Sequence, residues 1–388
     1  MNGGFFRAVT RRHILVFDPA LLLALLLIAS ISTVTMYSAS YETPDRLVDH
    51  LRNLAISFVV MWLVANLSPT TMMRGAIPLY LLGVALLVGV ALFGDVSKGA
   101  RRWLDIGVTR IQPSEILKIA MPLMLAWYFH RYEGLAKWRH YAIAIGLLMI
   151  PVVLIARQPD LGTSILVFAA GAFVIFFAGL SWKLLAGSLI GGLAGLPLLW
   201  SVMKEYQKQR VLTMIDPTSD PLGKGFHIIQ SMIAVGSGGP TGKGLLQGTQ
   251  THLEFVPERT TDFIFSVFAE EFGLAGAAVL LTVYLLLIGR GLVIAANAGT
   301  PFSRLLAGAT TMIFFTYAFV NMGMVTGILP VVGVPLPLMS YGGTAMVTLG
   351  LGAGILMAIA RQTRSTRPHR HPISSDGRRF SAEGISQA

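Results

Sequence analysis

Long apolar runs recur along the chain, each close to the roughly 20 residues that an α-helix needs to cross the hydrocarbon core of a bilayer. Ten such segments can be drawn: Pro19 to Ala39, Leu51 to Leu67, Gly75 to Phe93, Pro113 to Phe129, Tyr141 to Ala156, Leu161 to Gly179, Lys183 to Met203, Phe263 to Ile288, Phe302 to Thr326 and Ser340 to Ala360. Most connections are short. The exception runs from Lys204 to Asp262, and a connection of that length with no fold of its own is usually functional. The pattern predicts an all-α integral membrane protein of ten transmembrane helices, with one long loop between spans seven and eight. Within that loop Ile228, Ile229, Met232 and Ile233 fall at helical spacing, which predicts a short helix lying either in the membrane interface or against the bundle.

Composition agrees with the pattern. Hydrophobic residues make up 54% of the 388 and charged residues only 13%, where a soluble domain carries about 25% charge. No cysteine is present, so thiolate chemistry, disulfides and Cys-based metal sites are excluded. A net charge of +11 would suggest a nucleic-acid partner in a soluble protein; in a membrane protein it sets orientation and holds anionic membrane lipid, and no nucleic acid is expected. The first apolar run follows Arg7, Arg11 and Arg12 like a signal peptide but lacks an A-x-A-like cleavage site, so it is read as an uncleaved span behind a cytoplasmic N-terminus of residues 1–18.

Basic residues cluster on the side of the termini: Arg74, Arg131, Lys137, Arg139, Lys183, Arg290, Arg304 and six arginines between Arg361 and Arg379. The positive-inside rule places both termini in the cytoplasm and the loop 204–262 outside it. Residues 361–388 are polar, basic and Ser-rich, and disorder is expected there.

One loop breaks the charge rule. Lys98, Arg101, Arg102 and Arg110 face Asp95 and Asp105 on the extracytoplasmic side, with Trp103 among them. Guanidinium forks that bind phosphate oxygens would explain the excess, with Trp103 anchored at headgroup level; a solvated loop of internal ion pairs would explain it as well. Directly after it, Glu115 and Lys118 lie three apart on one helical face inside a span, where ionisable groups are expensive: a structural ion pair or a catalytic pair. Asp160, after Pro159 and before Gly162, is placed to cap the sixth span. Asp262 ends the long loop in Thr260-Thr261-Asp262, which also reads as a helix N-cap, and Glu270 and Glu271 lie two turns deeper, facing the bundle interior. The glycine-rich run Gly238 to Gly244 fails as a P-loop, having Ser237 in place of the first Gly and no Ser or Thr after Lys243, and is read as a flexible hinge. Gly187, Gly191 and Gly195 in span seven, and Gly350 and Gly354 in span ten, are spaced for close helix packing.

Five ordered segments, Lys98-Gly-Ala-Arg-Arg-Trp103, Gln112-Pro-Ser-Glu115 through Lys118, Gln158-Pro-Asp160-Leu-Gly-Thr163, Glu258-Arg-Thr-Thr-Asp262-Phe-Ile-Phe and Leu336-Pro-Leu-Met-Ser340-Tyr-Gly-Gly343, resemble the SEDS family (shape, elongation, division and sporulation). The resemblance spans all ten segments and is stronger to the elongation branch than to the division branch. It implies a bacterial inner-membrane peptidoglycan glycosyltransferase that polymerises lipid II into β-1,4 glycan strands, works with a class B penicillin-binding protein and sits among other elongation-complex membrane proteins. It also implies Asp262 as the catalytic residue, with functional roles for Glu115, Lys118 and Asp160. An α-linked diphosphate becoming a β-linkage requires inversion, hence one displacement with one base, Asp262. Lys118, Lys98, Arg101 and Arg102 would then neutralise the diphosphate, and Glu115 or Asp160 would hold a divalent cation, Mg2+ or Mn2+. Two competing readings are a lipid II flippase and a non-catalytic scaffold.

Overall fold

A computed structural model describes residues 16–97, 100–105, 110–133, 138–180, 182–219, 224–253, 255–256 and 258–366. A helix occupies each of the predicted apolar segments: α1 (Pro19–Ala39), α2 (Pro44–Ala65), α3 (Pro69–Phe93), α4 (Pro113–Arg131), α5 (Trp138–Arg157), α6 (Leu161–Phe177), α7 (Trp182–Val202), α11 (Ile264–Ala296), α12 (Pro301–Val325) and α13 (Gly343–Thr366). Three shorter helices, α8 (Glu205–Ile215), α9 (Lys224–Ser237) and α10 (Thr249–His252), lie between α7 and α11. Among the described residues seven helices, α1, α2, α3, α5, α11, α12 and α13, are long and apolar enough to cross a membrane, which makes this a multi-pass membrane protein. α6 is apolar but only 17 residues long, and α4 carries the charges of Glu115, Lys118 and Arg131.

Helix starts follow local chemistry that hydropathy overlooks. Proline opens α1, α2, α3, α4 and α12, where its missing N–H would have no intrahelical partner. Asp18, Ser68 and Thr300 precede three of these and accept from the N–H groups of Leu21, Thr71 and Ser303 at 3.2, 3.1 and 3.2 Å. This is why α2 and α3 begin about a turn or more before the apolar runs that predicted them. At the other end of the chain α13 continues to Thr366, so residues 361–366 of the expected disordered tail are helical, and the remainder lies outside the described residues.

α12 is the axis of the bundle, packed against α11, α4, α6 and α13, while α2 lies along α13 and α1 along α11. Gly350 and Gly354 of α13 do allow close approach, since an added Cβ would stand 2.4 Å from the Ser57 carbonyl oxygen and 2.7 Å from that of Met61 on α2. The stripe Gly187, Gly191, Gly195 of α7 behaves otherwise: it faces no neighbour within 4 Å, and the described side chains of that helix are almost all exposed. Asp18 closes one end of the bundle, accepting from Arg290 at 2.8 and 2.6 Å and from Arg364 at 2.5 Å. Burial favours its neutral form, but the hydrogen bonds and charge of Arg290, with Arg364 and the Leu21 N–H, outweigh that and hold its carboxyl down at about 2.

The glycine-rich run is a fixed part of this bundle, contrary to the expected hinge. α11 is interrupted at Gly273 (φ 63°), and residues 238–244 fit into the break. The carbonyls of Gly239 and Pro240 accept from the N–H groups of Leu274 and Ala275, and the carbonyls of Glu270 and Glu271 accept from Lys243 and Gly244. A Cβ on Gly242 would lie 2.1 Å from the Glu271 carbonyl oxygen, so only glycine permits the approach. Broken helices persist in membranes where another segment satisfies the freed backbone groups, as here. Glu270 and Glu271 are buried and bonded, as their depth requires. Glu270 accepts from Lys243 at 2.7 Å, from the Gln250 N–H at 2.8 Å and from the Thr251 hydroxyl at 2.9 Å, and Glu271 accepts from Ser38 and the Leu246 N–H. α9 divides its faces, burying Ile228, Ser231 and Ala234 against the bundle and leaving Met232 and Ile233 exposed.

Candidate active site

The basic loop is a small antiparallel sheet: β1 (Asp95–Ser97), β2 (Ala100–Asp105) and β3 (Arg110–Ile111). β2 rests against α3 and α4 and hands the chain through β3 to Gln112 and α4. Arg101 pairs in register with Val96 and Trp103 with Asp95, and Trp103 is half-buried. Lys98 lies outside the described residues.

The first turns of α4 and α6 gather the intramembrane charges. Lys118 is buried and donates to Glu115 Oε1 at 2.6 Å, while Thr348 of α13 donates to Glu115 Oε2 at 3.0 Å. The Lys118 ammonium also sits 5.3 Å from the centroid of the Tyr317 ring of α12, a favourable cation–π placement. Asp160 caps α6, accepting from the Thr163 N–H at 3.2 Å, and its second oxygen accepts from Gln112 Nε2 at 3.0 Å. Gln112, at the N-cap of α4, thus ties Asp160 to the helix that carries Glu115 and Lys118. Beside them lies an apolar cavity of about 740 Å³ that opens between α2, α3, α4 and α13, with Gln112, Glu115, Asn53 and Thr348 at its polar part.

Asp262 stands in a different setting. It does not cap α11: the N-cap is Phe263, and it makes no side-chain cap. The turn that carries Asp262 is held from outside, with Arg46 donating to Thr260 Oγ1 at 2.9 Å and the Tyr341 N–H donating to the Thr260 carbonyl at 2.8 Å. Arg259 ties the same turn to α1 through the Ala39 carbonyl and to Glu42. Burial pushes the Asp262 carboxyl up to about 6; the negative charge of Glu258 adds to the rise and the positive charge of Arg210 opposes it. His227 of α9 stacks on Phe263 at 6.0 Å, and burial lowers its proton affinity against the pull of Glu258. The long loop thus folds back over Asp262, bringing Arg210 and His227 from α8 and α9.

Glu115, Lys118, Asp160 and Gln112 are therefore assembled as one group, and Asp262 belongs to a second group at the same end of the bundle. The two meet through residues 332–334. A Cβ on Gly333 would stand 3.4 Å from Asp262 Oδ2, and one on Gly162, beside the Asp160 cap, would stand 2.5 Å from the Val332 carbonyl oxygen. Asp262 does not line the 740 Å³ cavity. Among the described residues no three His, Asp or Glu converge as metal ligands. Both oxygens of Glu115 and both of Asp160 accept hydrogen bonds from neighbouring side chains or main chain. Gln112, Tyr317, Thr348, Arg210, His227 and Asn321 did not stand out as site residues in the sequence. An uncharged Asn or Tyr in an apolar span was the signal for two of them.

Comparison with known proteins matches this arrangement to a family. The family model described as cell cycle protein, covering FtsW, RodA and SpoVE, matches residues 11–365. The chain is 51% identical over 343 residues to the peptidoglycan glycosyltransferase MrdB of Escherichia coli K12, covering 88% of this chain and 93% of that protein. Its structure is similar to a chain of a peptidoglycan synthase complex solved for its coordination of polymerization and crosslinking (TM-score 0.78, 32% identity, 89% of this chain and 98% of that one). It is also similar to the rod shape determining protein RodA of Thermus thermophilus (TM-score 0.67, 29% identity, 89% and 97%). With five ordered motifs, a family match over nearly the whole chain and 51% identity to a curated member over 343 residues, the chain belongs to the FtsW, RodA and SpoVE cell cycle proteins, the SEDS family.

Proposed function

We propose that this chain is a peptidoglycan glycosyltransferase of the elongation type, polymerising lipid II by an inverting displacement in which Asp262 is the general base. Family membership and half-identity to MrdB support the activity. The observation that carries the base assignment is a half-buried carboxylate left free of capping duty, its proton affinity raised by partial desolvation towards neutrality, where a base both accepts and releases a proton readily. Asp262 would take the proton from the 4-hydroxyl of the acceptor sugar as that oxygen attacks the anomeric carbon of the donor. The bond to undecaprenyl diphosphate breaks in the same step, and negative charge grows on the leaving oxygens.

Lys118 is the described cation best placed to meet that charge. Its ammonium is paired with Glu115 at rest, so a diphosphate bound beside the pair would compete for its protons. The arginines of β2, which is joined to α4 through β3 and Gln112, add positive charge to the same end of the bundle. Asp160 holds Gln112 in place. The apolar cavity next to Glu115 has the character required for the polyprenyl part of the substrate. A Mg2+ or Mn2+ ion, held by Glu115 or Asp160, would supply positive charge to the diphosphate oxygens.

The similarity to a synthase-complex chain supports a crosslinking class B penicillin-binding protein as partner. The helices in the ten apolar segments and the charge distribution support ten spans, an inner-membrane location and cytoplasmic termini. The deciding experiment uses purified protein and lipid II in detergent, with strands resolved on a gel. Asp262→Asn preserves shape and removes the base, so strand synthesis should fall by about a hundredfold or more while lipid II still binds. Near-normal polymer from the variant would remove Asp262 from this role. Absence of polymer from the unaltered protein, with lipid II movement in vesicles, would favour a flippase.

A further inference from the structure

Asn321 lies fully buried on α12, one helical turn beyond Tyr317, and its Nδ2 donates at 2.8 Å to two main-chain carbonyls at once, those of Asp262 and Val334. Two carbonyl acceptors can be served only by the amide NH2, so the orientation of the side chain is fixed by chemistry. Its oxygen is left buried without a hydrogen-bond partner among the described residues, a cost that an apolar side chain in the same helix would not incur. Packing alone therefore does not explain an asparagine at this position.

The two carbonyls belong to the two parts of the site. Val334 follows Gly333, whose backbone (φ 76°) turns against the Asp262 carboxylate, and the preceding Val332 carbonyl abuts Gly162 beside the Asp160 cap. Tyr317, four residues earlier on α12 and about 6 Å along its axis, carries the Lys118 ammonium on its ring. One helix face thus touches the Glu115–Lys118–Asp160 group at Tyr317 and the Asp262 turn at Asn321.

We propose that Asn321 is a positioning residue, fixing the Asp262 carboxylate at a set distance from the Glu115–Lys118–Asp160 group by fastening the Asp262 main chain to residues 332–334. The inference rests on Asp262 being the base. When the fastening is lost, residues 332–334 draw back from the half-buried carboxylate and more water reaches it. Its charged neighbours, Glu258 on its own turn, Arg210 of α8 and His227 of α9, are unchanged by the substitution. Hydration favours the ionised form, so the proton affinity of Asp262 falls.

The test compares Asn321→Leu with the unaltered enzyme in lipid II polymerisation across pH. A kcat reduced about tenfold or more is expected, with KM for lipid II changed less than about threefold and the acidic limb of the kcat profile moved to lower pH by about half a unit or more. A kcat within about twofold of the unaltered enzyme, or a loss of kcat and thermal stability together with an unmoved limb, would overturn the proposal. Gly333→Ala disturbs the same contact without touching α12, and it decides the matter if Asn321→Leu does not fold: the same limb shift supports the proposal, an unmoved limb rejects it. Asp262→Asn assayed alongside separates the two ideas. If that variant polymerises, the base assignment fails; if it is dead while the Asn321 and Gly333 variants behave normally, only the positioning role fails.

Discussion

Glu115 and Asp262 are both carboxylates at one end of the same bundle, and they are treated in opposite ways. Glu115 is matched on every side: Lys118 on one oxygen, Thr348 on the other, and Tyr317 beneath the lysine. Asp262 is half-buried with its main chain held firmly, by Asn321 and through Thr260, while its carboxylate receives a like charge from Glu258 and a more modest opposite influence from Arg210. The first arrangement occupies both carboxylate oxygens with an ion pair and a hydrogen bond. The second raises the energy of the ionised form and leaves a group ready to take a proton. The difference assigns complementary duties, electrostatic support to the pair and proton transfer to the single acid.

The sharpest way to break the comparison is Lys118→Ala. Removing one partner of a buried pair leaves the other uncompensated, which costs about 3–5 kcal/mol. Lys118 and Glu115 are 4% and 13% exposed, so little of this is screened by solvent. A large fall in thermal stability is expected, together with loss of turnover per folded molecule. Stability lost with turnover per folded molecule intact would make the pair purely structural. Glu115→Gln in the Lys118→Ala background should recover much of the stability, since it removes the stranded charge.

Asp262 should respond in the opposite direction. Its carboxyl titrates near 6 in the folded protein and in the ordinary range near 3.8 when unfolded, so the folded state holds its proton more tightly. Stability from this group is full below about pH 4 and is lost as pH rises through 6. Two pH units of difference correspond to about 3 kcal/mol. Asp262→Asn should therefore melt higher than the unaltered protein at pH 7 to 8, by up to about that amount, with the gap closing toward pH 4. Equal melting at both pH values would show that Asp262 is not held against its ionisation.

The contrast between the two carboxylates was only partly legible in the sequence. Spacing three apart placed Glu115 and Lys118 on one helix face, and Pro-Asp before an apolar run marked Asp160 as a cap; both arise from local geometry, which a one-dimensional pattern records. Asp262 read equally as cap and base because the distinction depends on Phe263 taking the cap position and on the packing of α9 against α11, an element in a loop that hydropathy resolves poorly. Arg210, His227 and Asn321 meet Asp262 or its turn across 52, 35 and 59 positions of chain, and no periodicity encodes such a meeting. The glycine-rich run misled for a related reason. Gly239, Gly242 and Gly244 have the positive φ that a hinge would also favour, and only the break at Gly273 shows that the run is docked.

Asp160 gives the finest test, because it combines features of both carboxylates: it is hydrogen-bonded like Glu115 and stands at a helix start as Asp262 was expected to. Its cap to the Thr163 N–H needs only an oxygen acceptor, whereas the second oxygen serves Gln112. Asp160→Asn can keep the cap by presenting its amide oxygen to Thr163, but its NH2 then faces the Gln112 amide, which must turn over to accept. Stability should change by less than about 1 kcal/mol, while Asp160→Ala loses the cap and costs about 1 kcal/mol. If Gln112 matters to the substrate only through its orientation, Asp160→Asn should lower activity more than its small effect on melting accounts for, and Gln112→Glu in that background, which accepts from the new amide, should restore part of it. Activity that simply tracks melting temperature through both variants would reduce Asp160 to a helix cap and leave Glu115 and Lys118 as the supporting group by themselves.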